Sequence, residues 1–335
     1  MDNLSRRQFG KELSVGTLGA LAAGSGASAA VGQGTPAHRP KRTTAALREM
    51  INGPGIIAAP GVYDPFTARI AESIGFRALD LPGSALGYTK CVMEPNLGLE
   101  DMAEAAEAIT AAVSIPLVVD AGAGFGEPAH VFHTVRQLEH AGAAGMHLED
   151  QIYPKRFHYH IGVEHTIPVE EMVEKIHWAA EARRDPDFII VARTDAIRTV
   201  SFAEGIRRAN VYLEAGADMI MIYPRTAEQV RQIPKEVHGP INWTQSHGLP
   251  GTPPVFPLQE LEAMGGGPKR GYKLINYVGP VFAVYKTVRD MFTQLKETGS
   301  PGMDPAIYGP IQKEIQNMVG LRDYIRIENA TTEKT

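Results

Sequence analysis

Charged residues that could bind a metal ion or an anion follow three short apolar runs in this sequence. The charged segments are Asp120–Gly126, His147–Gln151 and Ala192–Ala196. Short apolar runs bounded by turn residues are typical of buried parallel strands. In an α/β barrel the carboxyl ends of such strands open on one face, which holds the active site. Two carboxylates and an arginine that converge there indicate a bound cation and an anionic substrate.

Eight apolar runs alternate with helical patterns along the chain. This order predicts a parallel sheet, and eight units favour a (β/α)8 TIM-type barrel over an open doubly wound sheet. No G-x-G-x-x-G motif follows the first apolar run, which argues against a dinucleotide-binding fold. Helical patterns continue over residues 282–295 and 305–319. These extra C-terminal helices exceed what a barrel needs, so we expect them to pack on another subunit. The predicted strands are 56–59, 78–81, 116–120, 145–149, 188–193, 219–223, 241–244 and 273–276.

The first thirty residues predict a twin-arginine signal peptide. Arg6 and Arg7 precede a weakly apolar stretch, 15–23, and a small-x-small cleavage site at Ala27–Ala29. The stretch is too short to span a bilayer, so no membrane insertion is expected after cleavage. The expected organisation is a signal peptide over residues 1–30, a linker over 31–43 and one catalytic barrel with its helical tail over 44–335. The predicted location is periplasmic or secreted.

Composition narrows the class of protein. The net charge is −5 without a basic block beyond the first residues, which argues against a nucleic-acid partner. Hydrophobic residues make up 44% and charged residues 21%, which is ordinary for a globular enzyme and unlike a disordered chain. The single cysteine, Cys91, excludes an internal disulfide and a multi-cysteine metal centre.

The strand-end segments together resemble one superfamily. D-A-G-A-G-F-G, H-L-E-D-Q, P-K-R and D-P-D-F-I-I-V-A-R-T-D-A, in this order, are similar to the isocitrate lyase / phosphoenolpyruvate mutase superfamily. The nearest group is that of methylisocitrate lyase and carboxyphosphonoenolpyruvate phosphonomutase, and the resemblance runs from about Leu47 to Glu297. It implies a helix-swapped homo-oligomer, a dimer of dimers, with Mg²⁺ or Mn²⁺. It also implies small 2-oxo or 2-hydroxy carboxylate substrates and a metal-stabilised enolate.

The resemblance assigns roles to individual residues. Asp120 matches a direct metal ligand, and Glu149 matches the residue that holds a metal-bound water. Arg193 matches the partner of the substrate carboxylate and enolate oxygen. Gly83-Ser84-Ala85 matches the loop whose backbone N–H groups hold the substrate carboxylate. These roles are physically reasonable, because a hard cation takes oxygen ligands and a developing enolate is stabilised by fixed positive charge.

Two departures concern the metal site. Gly122 replaces the second aspartate of the metal motif, and Asn96, which we still count as a candidate ligand, stands where another aspartate is expected. The site loses two negative charges, so metal affinity is expected to fall. Asp80 stands at a position that is usually aromatic, and its carboxylate is a candidate to offset part of this loss.

A third departure concerns the proton donor. The lyases carry K-[KR]-C-G-H, in which cysteine protonates the leaving enolate, but Phe157 stands in its place here. Phenylalanine transfers no proton, which disfavours the usual methylisocitrate lyase mechanism. His158 and His160 are the candidate catalytic residues, with Tyr159 a further possible donor, if this loop folds over the site. His158 and His160 with His165 form an alternative zinc-binding pattern.

Trp243 and His247 flank the end of the seventh strand, where either substrate contact or packing explains them. The sequence thus favours a metal-dependent lyase or decarboxylase that acts on a small 2-oxo or 2-hydroxy carboxylate. A phosphonomutase or C–P bond hydrolase is the alternative enzyme. A barrel that binds carboxylates without turnover is the non-enzyme alternative, which Gly122, Asn96 and Phe157 suggest.

Overall fold

The computed structural model describes residues 42–245, 252–265 and 269–333, and within them eight strands alternate with helices. The strands are β1 Ile57–Pro60, β2 Leu79–Leu81, β3 Leu117–Asp120, β4 Gly145–Glu149, β5 Ile189–Thr194, β6 Met219–Ile222, β7 Pro240–Gln245 and β8 Gly271–Tyr277. All eight predicted strands are confirmed, with shifts of a few residues at their ends.

Thirteen α-helices lie among the described residues, together with 3₁₀ helices at Glu94–Asn96 and Phe157–Ile161. The α-helices are α1 Thr43–Asn52, α2 Pro65–Ser73, α3 Gly83–Thr89, α4 Leu99–Ala112, α5 Pro128–His140, α6 Val169–Ala182, α7 Ala196–Thr199, α8 Phe202–Glu214, α9 Ala227–Glu236, α10 Leu258–Ala263, α11 Pro280–Thr298, α12 Pro305–Met318 and α13 Leu321–Thr331.

The strands form one parallel sheet that closes on itself. Their order is β1-β8-β7-β6-β5-β4-β3-β2, and each strand in this order pairs in parallel with the next. A parallel bridge between Gly61 and Asp80 joins the first and last strands of this order, and the Val62 N–H donates to the Asp80 carbonyl oxygen at 2.8 Å. The predicted (β/α)8 TIM-type barrel is therefore confirmed.

The barrel interior is a packed core with a polar upper end. Side chains alternate between the two faces of a strand, so one set from each strand points inward. The lower interior is apolar, whereas buried Asp80, His147, Asn242 and Asn276 lie nearer the carboxyl ends of their strands. The apolar set includes Ile57, Ala59, Ala78, Val118, Ala144, Ile189, Val191, Met219, Met221 and Leu274.

The loop after β1 ends in a capped helix. The Asp64 carboxylate accepts a hydrogen bond from the Thr67 N–H at 2.7 Å, and Pro65 is the first residue of α2. Such a cap satisfies an N–H group that has no partner inside the helix, while proline lacks the N–H that would otherwise be left free. Asp64 is therefore the N-cap of α2.

The tail helices α11 to α13 extend beyond the barrel and are largely exposed. They contact the rest of the chain at a few points: the Tyr88 and Phe282 ring centroids lie 6.2 Å apart, and Arg69 donates to the Met318 carbonyl oxygen at 2.7 Å. The extra C-terminal helices are thus confirmed.

Among the described residues no helix has the length and apolar character needed to cross a membrane. The predicted signal peptide and most of the predicted linker lie outside these residues.

Candidate active site

Glu149 lies at the centre of a group of buried charges at the carboxyl end of the barrel. Its carboxylate is 2.9 Å from Arg193 Nη1 and 3.0 Å from Lys155 Nζ. The register of β4 and β5 places Glu149 directly beside Arg193, so strand pairing itself brings these two residues together. Burial raises the pKa of Glu149, and the two neighbouring cations offset only part of that rise.

Lys155 connects Glu149 to a second carboxylate. Its ammonium also forms an ion pair with Glu94, which lies in the 3₁₀ helix after α3. Burial disfavours the charged ammonium, but Glu149 and Glu94 outweigh that effect and raise the pKa of Lys155 well above its usual value. Lys155 is therefore a permanent cation at the edge of the site.

Asp120 ends β3 beside these charges. Its Oδ1 accepts from the Gly122 N–H at 2.9 Å and its Oδ2 from the Gly83 N–H at 3.2 Å. Burial opposes its ionisation, but Lys155, Arg193 and the other favourable contacts outweigh that penalty and lower the pKa of Asp120. Gly122 has a φ of +49°, and nothing lies within 4 Å of where its Cβ would be. Open space therefore surrounds the position of the missing second aspartate.

Four groups fix the Arg193 guanidinium. Besides Glu149, Asp195 accepts from Arg193 Nη2 at 3.0 Å and the Tyr159 hydroxyl oxygen accepts from the same nitrogen at 2.9 Å. The Tyr223 ring centroid lies 4.6 Å from the guanidinium carbon, within the range of a cation–π contact. Asp195 is held in turn by Gln151, whose Nε2 donates at 2.6 Å. The guanidinium is thus pre-positioned on rigid strand ends.

A small cavity opens beside these groups. Its charged lining residues are Glu94, Asp120 and Lys155, and most of the others are apolar. Its lining consists of Gly83, Glu94, Pro95, Leu97, Met102, Asp120, Gly122, Ala123, Phe125, Tyr153 and Lys155.

A layer of buried polar side chains lies beneath the charged group. His147 Nδ1 is 3.7 Å from Asp80 Oδ1, and Asn242 Nδ2 donates to Asn276 Oδ1 at 3.0 Å. Burial lowers the pKa of His147 to about 4. Burial and the neighbouring Asp120 raise the pKa of Asp80 well above its usual value. His147 is therefore neutral near pH 7, and the protonated form of the Asp80 carboxyl is favoured, so Asp80 is poorly suited to supply the missing negative charge.

The residues present fit a hard divalent cation held by one or two carboxylates. Asp120 and Glu149 provide oxygen donors, and Glu149 Oε1 makes no hydrogen bond despite its ion pair with Lys155. Four carboxyl groups, from Glu94, Asp120, Glu149 and Asp195, surround only two cations. Mg²⁺ typically keeps several water ligands and needs few protein carboxylates. No group of three or more His, Cys, Asp or Glu residues that could hold a metal ion occurs in the described part of the chain.

Most of the other residues that the sequence predicts for the site do not line the cavity. Asn96 is exposed and does not line the cavity, and of Gly83, Ser84 and Ala85 only Gly83 does. Trp243 is buried in the core, where its ring centroid lies 5.8 Å from that of Tyr272, so packing explains it. His247 lies outside the described residues.

The histidines of the loop after β4 do not meet at a metal centre. His158 is exposed, while His160 is half-buried with its Nε2 lacking a hydrogen-bond partner. Neither makes a described contact with Glu149, Asp120 or Arg193. Tyr159, between them, is the side chain of this segment that reaches Arg193.

Sequence reasoning missed three residues of the site. Glu94 precedes Asn96 by two positions, Asp195 follows Arg193 by two, and Tyr223 is the last residue of the sixth predicted strand. A search for every polar residue within two positions of a strand end would have found Asp195 and Tyr223. Glu94 belongs to a longer loop, and only the ion pair with Lys155 reveals it.

The fold and the site define a (β/α)8 barrel enzyme whose fixed guanidinium and carboxylates are suited to a small anion and a hard cation. The family model described as phosphoenolpyruvate phosphomutase matches residues 47–266. The chain therefore belongs to this family, within the phosphoenolpyruvate mutase / isocitrate lyase superfamily, and is an enzyme of the lyase and mutase type.

Individual relatives are similar over nearly their whole length. A 2-methylisocitrate lyase of Aeropyrum pernix is 36% identical over 86% of this chain and 91% of its own. A 2,3-dimethylmalate lyase of Eubacterium barkeri is 34% identical over 86% of this chain and 97% of its own. Among solved structures, a phosphonopyruvate hydrolase in complex with oxalate and Mg²⁺ is 29% identical with a TM-score of 0.76, covering 88% of this chain and all of its own.

Proposed function

We propose that this protein is a divalent-metal-dependent carbon–carbon lyase that cleaves a small, substituted 2-hydroxy dicarboxylate through an enolate. The observation that carries the proposal is the arrangement of Glu149 between Arg193 and Lys155, with ionised Asp120 close by, beside a small cavity that Asp120 and Lys155 line. The names of the two lyase relatives support this substrate class.

In this proposal each residue has a defined task. Asp120, with Glu149 next to it, would hold Mg²⁺ or Mn²⁺, and a bound cation would supply positive charge to the enolate oxygen. Arg193 donates to a substrate carboxylate or the developing enolate, and Lys155 neutralises a second carboxylate. The apolar part of the cavity, which includes Leu97, Met102 and Phe125, suits a methyl or methylene substituent.

The test is a direct assay on the purified protein. With Mg²⁺ present, 2,3-dimethylmalate and 2-methylisocitrate are each incubated with enzyme, and release of pyruvate is measured. Oxaloacetate is included to detect decarboxylation. Cleavage of a 2-hydroxy dicarboxylate that is lost in chelator and restored by Mg²⁺ or Mn²⁺ is the expected result. Failure of all these substrates to react with either metal would refute the lyase proposal.

Two variants assign the metal ligands in the same assay. Asp120→Ala should abolish metal-dependent turnover, because the ionised carboxylate at the strand end is removed. Glu149→Gln should weaken turnover by about 10–100-fold, the usual effect of changing a group that orients a metal-bound water. Equal metal affinity of Asp120→Ala and the wild type, measured by calorimetry, would rule out Asp120 as a ligand.

The second candidate is a hydrolase that breaks a C–P bond. It is favoured by the absence of a thiol in the Lys155–His160 loop and by the similarity to the phosphonopyruvate hydrolase. Phosphonopyruvate belongs in the same assay, with inorganic phosphate as the measured product. Phosphate release without cleavage of any dicarboxylate would favour this candidate over the lyase.

We also propose that the protein is exported by the twin-arginine route and acts in the periplasm or outside the cell. The support is the order of Arg6-Arg7, the weakly apolar stretch and Ala27-Ser28-Ala29 in the sequence. Changing both arginines to lysine should leave uncleaved precursor in the cytoplasm, detected by fractionation and mass spectrometry. Normal export and cleavage of this double variant would contradict the proposal.

A further inference from the structure

The 3₁₀ helix Phe157–Ile161 places one aromatic side chain, Tyr159, against the two cations of the site. Its residues Phe157, His158 and Ile161 are exposed, but Tyr159 turns inward and its hydroxyl reaches Arg193 Nη2 at 2.9 Å. The Tyr159 ring lies over the Lys155 ammonium, 4.3 Å from Nζ to the centroid, and 5.5 Å from the Arg193 guanidinium carbon. Two cations thus fix a phenol group at the charged end of the site.

The direction of the hydrogen bond leaves the phenol proton available. A guanidinium only donates, so the Tyr159 oxygen accepts from Arg193 and its own O–H points elsewhere. No acceptor for this O–H occurs among the described hydrogen bonds. Burial raises the pKa of Tyr159, and Arg193 and Lys155 offset only part of that rise, so the phenol keeps its proton at neutral pH. A proton donor with these properties is what the chemistry needs where Phe157 has replaced a thiol.

We propose that Tyr159 is the catalytic acid that protonates the enolate carbon in this enzyme. The inference rests on the proposed lyase function and deepens it. When the C–C bond of the substrate breaks, its electron pair remains on the enolate, and the substrate hydroxyl loses its proton as a carbonyl forms. The Tyr159 O–H then donates its proton to the enolate carbon. Solvent accepts the proton that the substrate hydroxyl loses and returns a proton to the Tyr159 phenolate.

Other side chains of the segment serve this role less well. His160 packs edge-on against Tyr159, with ring centroids 5.3 Å apart, and burial together with Lys155 lowers its pKa. It makes no described contact with Arg193, Glu149 or Asp120. His158 is exposed. These two histidines are therefore matched controls within the same short helix.

The experiment compares Tyr159→Phe with His158→Asn and His160→Asn, using 2,3-dimethylmalate as substrate in the presence of Mg²⁺. Tyr159→Phe keeps the ring over Lys155 and removes only the hydroxyl. Its kcat should fall by about 10²–10⁴-fold with KM changed only a few-fold, the usual effect of losing a general acid. Both histidine variants should keep kcat within about threefold of the wild type.

A stereochemical readout separates an acid from a structural residue. In D₂O the wild type should place deuterium on one face of the propionate product, whereas residual turnover by Tyr159→Phe should give both configurations, because solvent protonates the released enolate. Thermal stabilisation by Mg²⁺ and oxalate, a planar mimic of an enolate, should be the same in both proteins, which shows that the anion site is intact.

The outcomes distinguish the inference from the function on which it rests. If the wild type cleaves the substrate and Tyr159→Phe retains kcat and stereospecific labelling, Tyr159 is not the acid although the lyase function stands. If Tyr159→Phe retains kcat and binds oxalate at least tenfold more tightly, the phenol merely obstructs the anion site and the inference is also overturned. Absence of any lyase activity in the wild type overturns both.

Discussion

Arg193 is the residue on which most of the site depends. Its guanidinium contacts Glu149, Asp195, Tyr159 and the face of Tyr223, and it is almost completely buried. Burial opposes its charge, but Asp195 and Glu149 outweigh that effect, so its pKa lies well above the ordinary value. A planar fork of donors satisfies several acceptors at once, which a point charge on a flexible chain does not.

Arg193→Lys should therefore be severe although the charge is kept. A lysine cannot contact Glu149, Asp195 and a substrate carboxylate at the same time. We therefore expect kcat/KM to fall roughly 10²–10³-fold, which is the usual effect of removing one partner of a buried, hydrogen-bonded charge pair. Steady-state kinetics with the substrate found in the proposed assay measures the effect. Arg207→Lys, on the exposed face of α8, is the control. An Arg193→Lys enzyme within tenfold of wild type would show that bidentate geometry is unimportant here.

Asp80 allows a test of the polar layer beneath the site. The folded protein favours the protonated carboxyl because burial and Asp120 raise its pKa, whereas the unfolded chain releases that proton above a pH of about 3.9. The folded state thus binds the extra proton, and this group's contribution to stability falls as the pH rises through that window. Asp80→Asn removes the effect while keeping the shape of the side chain.

Asp80→Asn should accordingly unfold at a higher temperature than the wild type at pH 7–8, and the difference should shrink towards pH 4. Thermal unfolding in chelator at several pH values measures this, with Asp290→Asn on the exposed face of α11 as the control. A difference that is constant with pH, or that grows as the pH falls, would mean that Asp80 is ionised in the folded protein.

At the scale of elements, two features form the site. One is the register between strands β4 and β5, and the other is the short 3₁₀ helix after β4. The β4–β5 register sets the Glu149–Arg193 pair, and the loop after β4 supplies Lys155 and Tyr159. The 3₁₀ helix of this loop ends at Gly162, whose φ of +84° lies in the left-handed region that favours glycine. Nothing lies within 4 Å of where a Cβ would be, so backbone strain is the main cost of a side chain there.

Gly162→Ala should disfavour the conformation that places Tyr159 in the site. The left-handed region costs an alanine roughly 1–2 kcal/mol, which corresponds to a loss of about 5–30-fold in kcat/KM if the loop must close for each turnover. The unfolding temperature should change little. Gly279→Ala is a matched control, because Gly279 has equally open surroundings and a right-handed φ of −57°. Equal kinetics of the two variants would contradict a role for this loop conformation.

At the scale of the whole molecule, the tail helices present an apolar face without a described partner over most of its area. On α11 alone, Phe282, Tyr285, Phe292 and Leu295 are each at least 44% exposed. Exposed apolar surface of this extent is characteristic of an interaction site. We propose that a second copy of the chain covers it in a homo-oligomer, as the family resemblance implies.

Phe292→Asp should weaken this association, because it introduces a charge at the centre of the apolar face. In size-exclusion chromatography with light scattering, the variant should elute later than the wild type and have a smaller measured molar mass. Thr287→Asp, which introduces the same charge on the opposite side of α11, should leave the mass unchanged. A wild type that is monomeric at micromolar concentration would refute the proposed assembly.

Much of this architecture could be predicted from the sequence, because it depends on local patterns. Alternating apolar runs and helical periods specify eight strand–helix units, and parallel strands with such connections close into a barrel. The positions of Asp120, Glu149 and Arg193 at strand ends follow from the same pattern, because each stands at the carboxyl end of an apolar run. The N-cap at Asp64 depends only on residues three positions apart.

Only the tertiary structure decided which of these side chains meet. Glu94 and Lys155 are separated by 61 positions, and Tyr159 and Arg193 by 34, so neither pair leaves a periodic signal. The ionisation of Asp80 and His147 depends on burial from all sides, which composition and spacing do not encode. Sequence therefore determined the scaffold and the charged strand ends of this protein. The packing of loops over the barrel decided which groups are charged, which are neutral, and which side chain reaches the arginine.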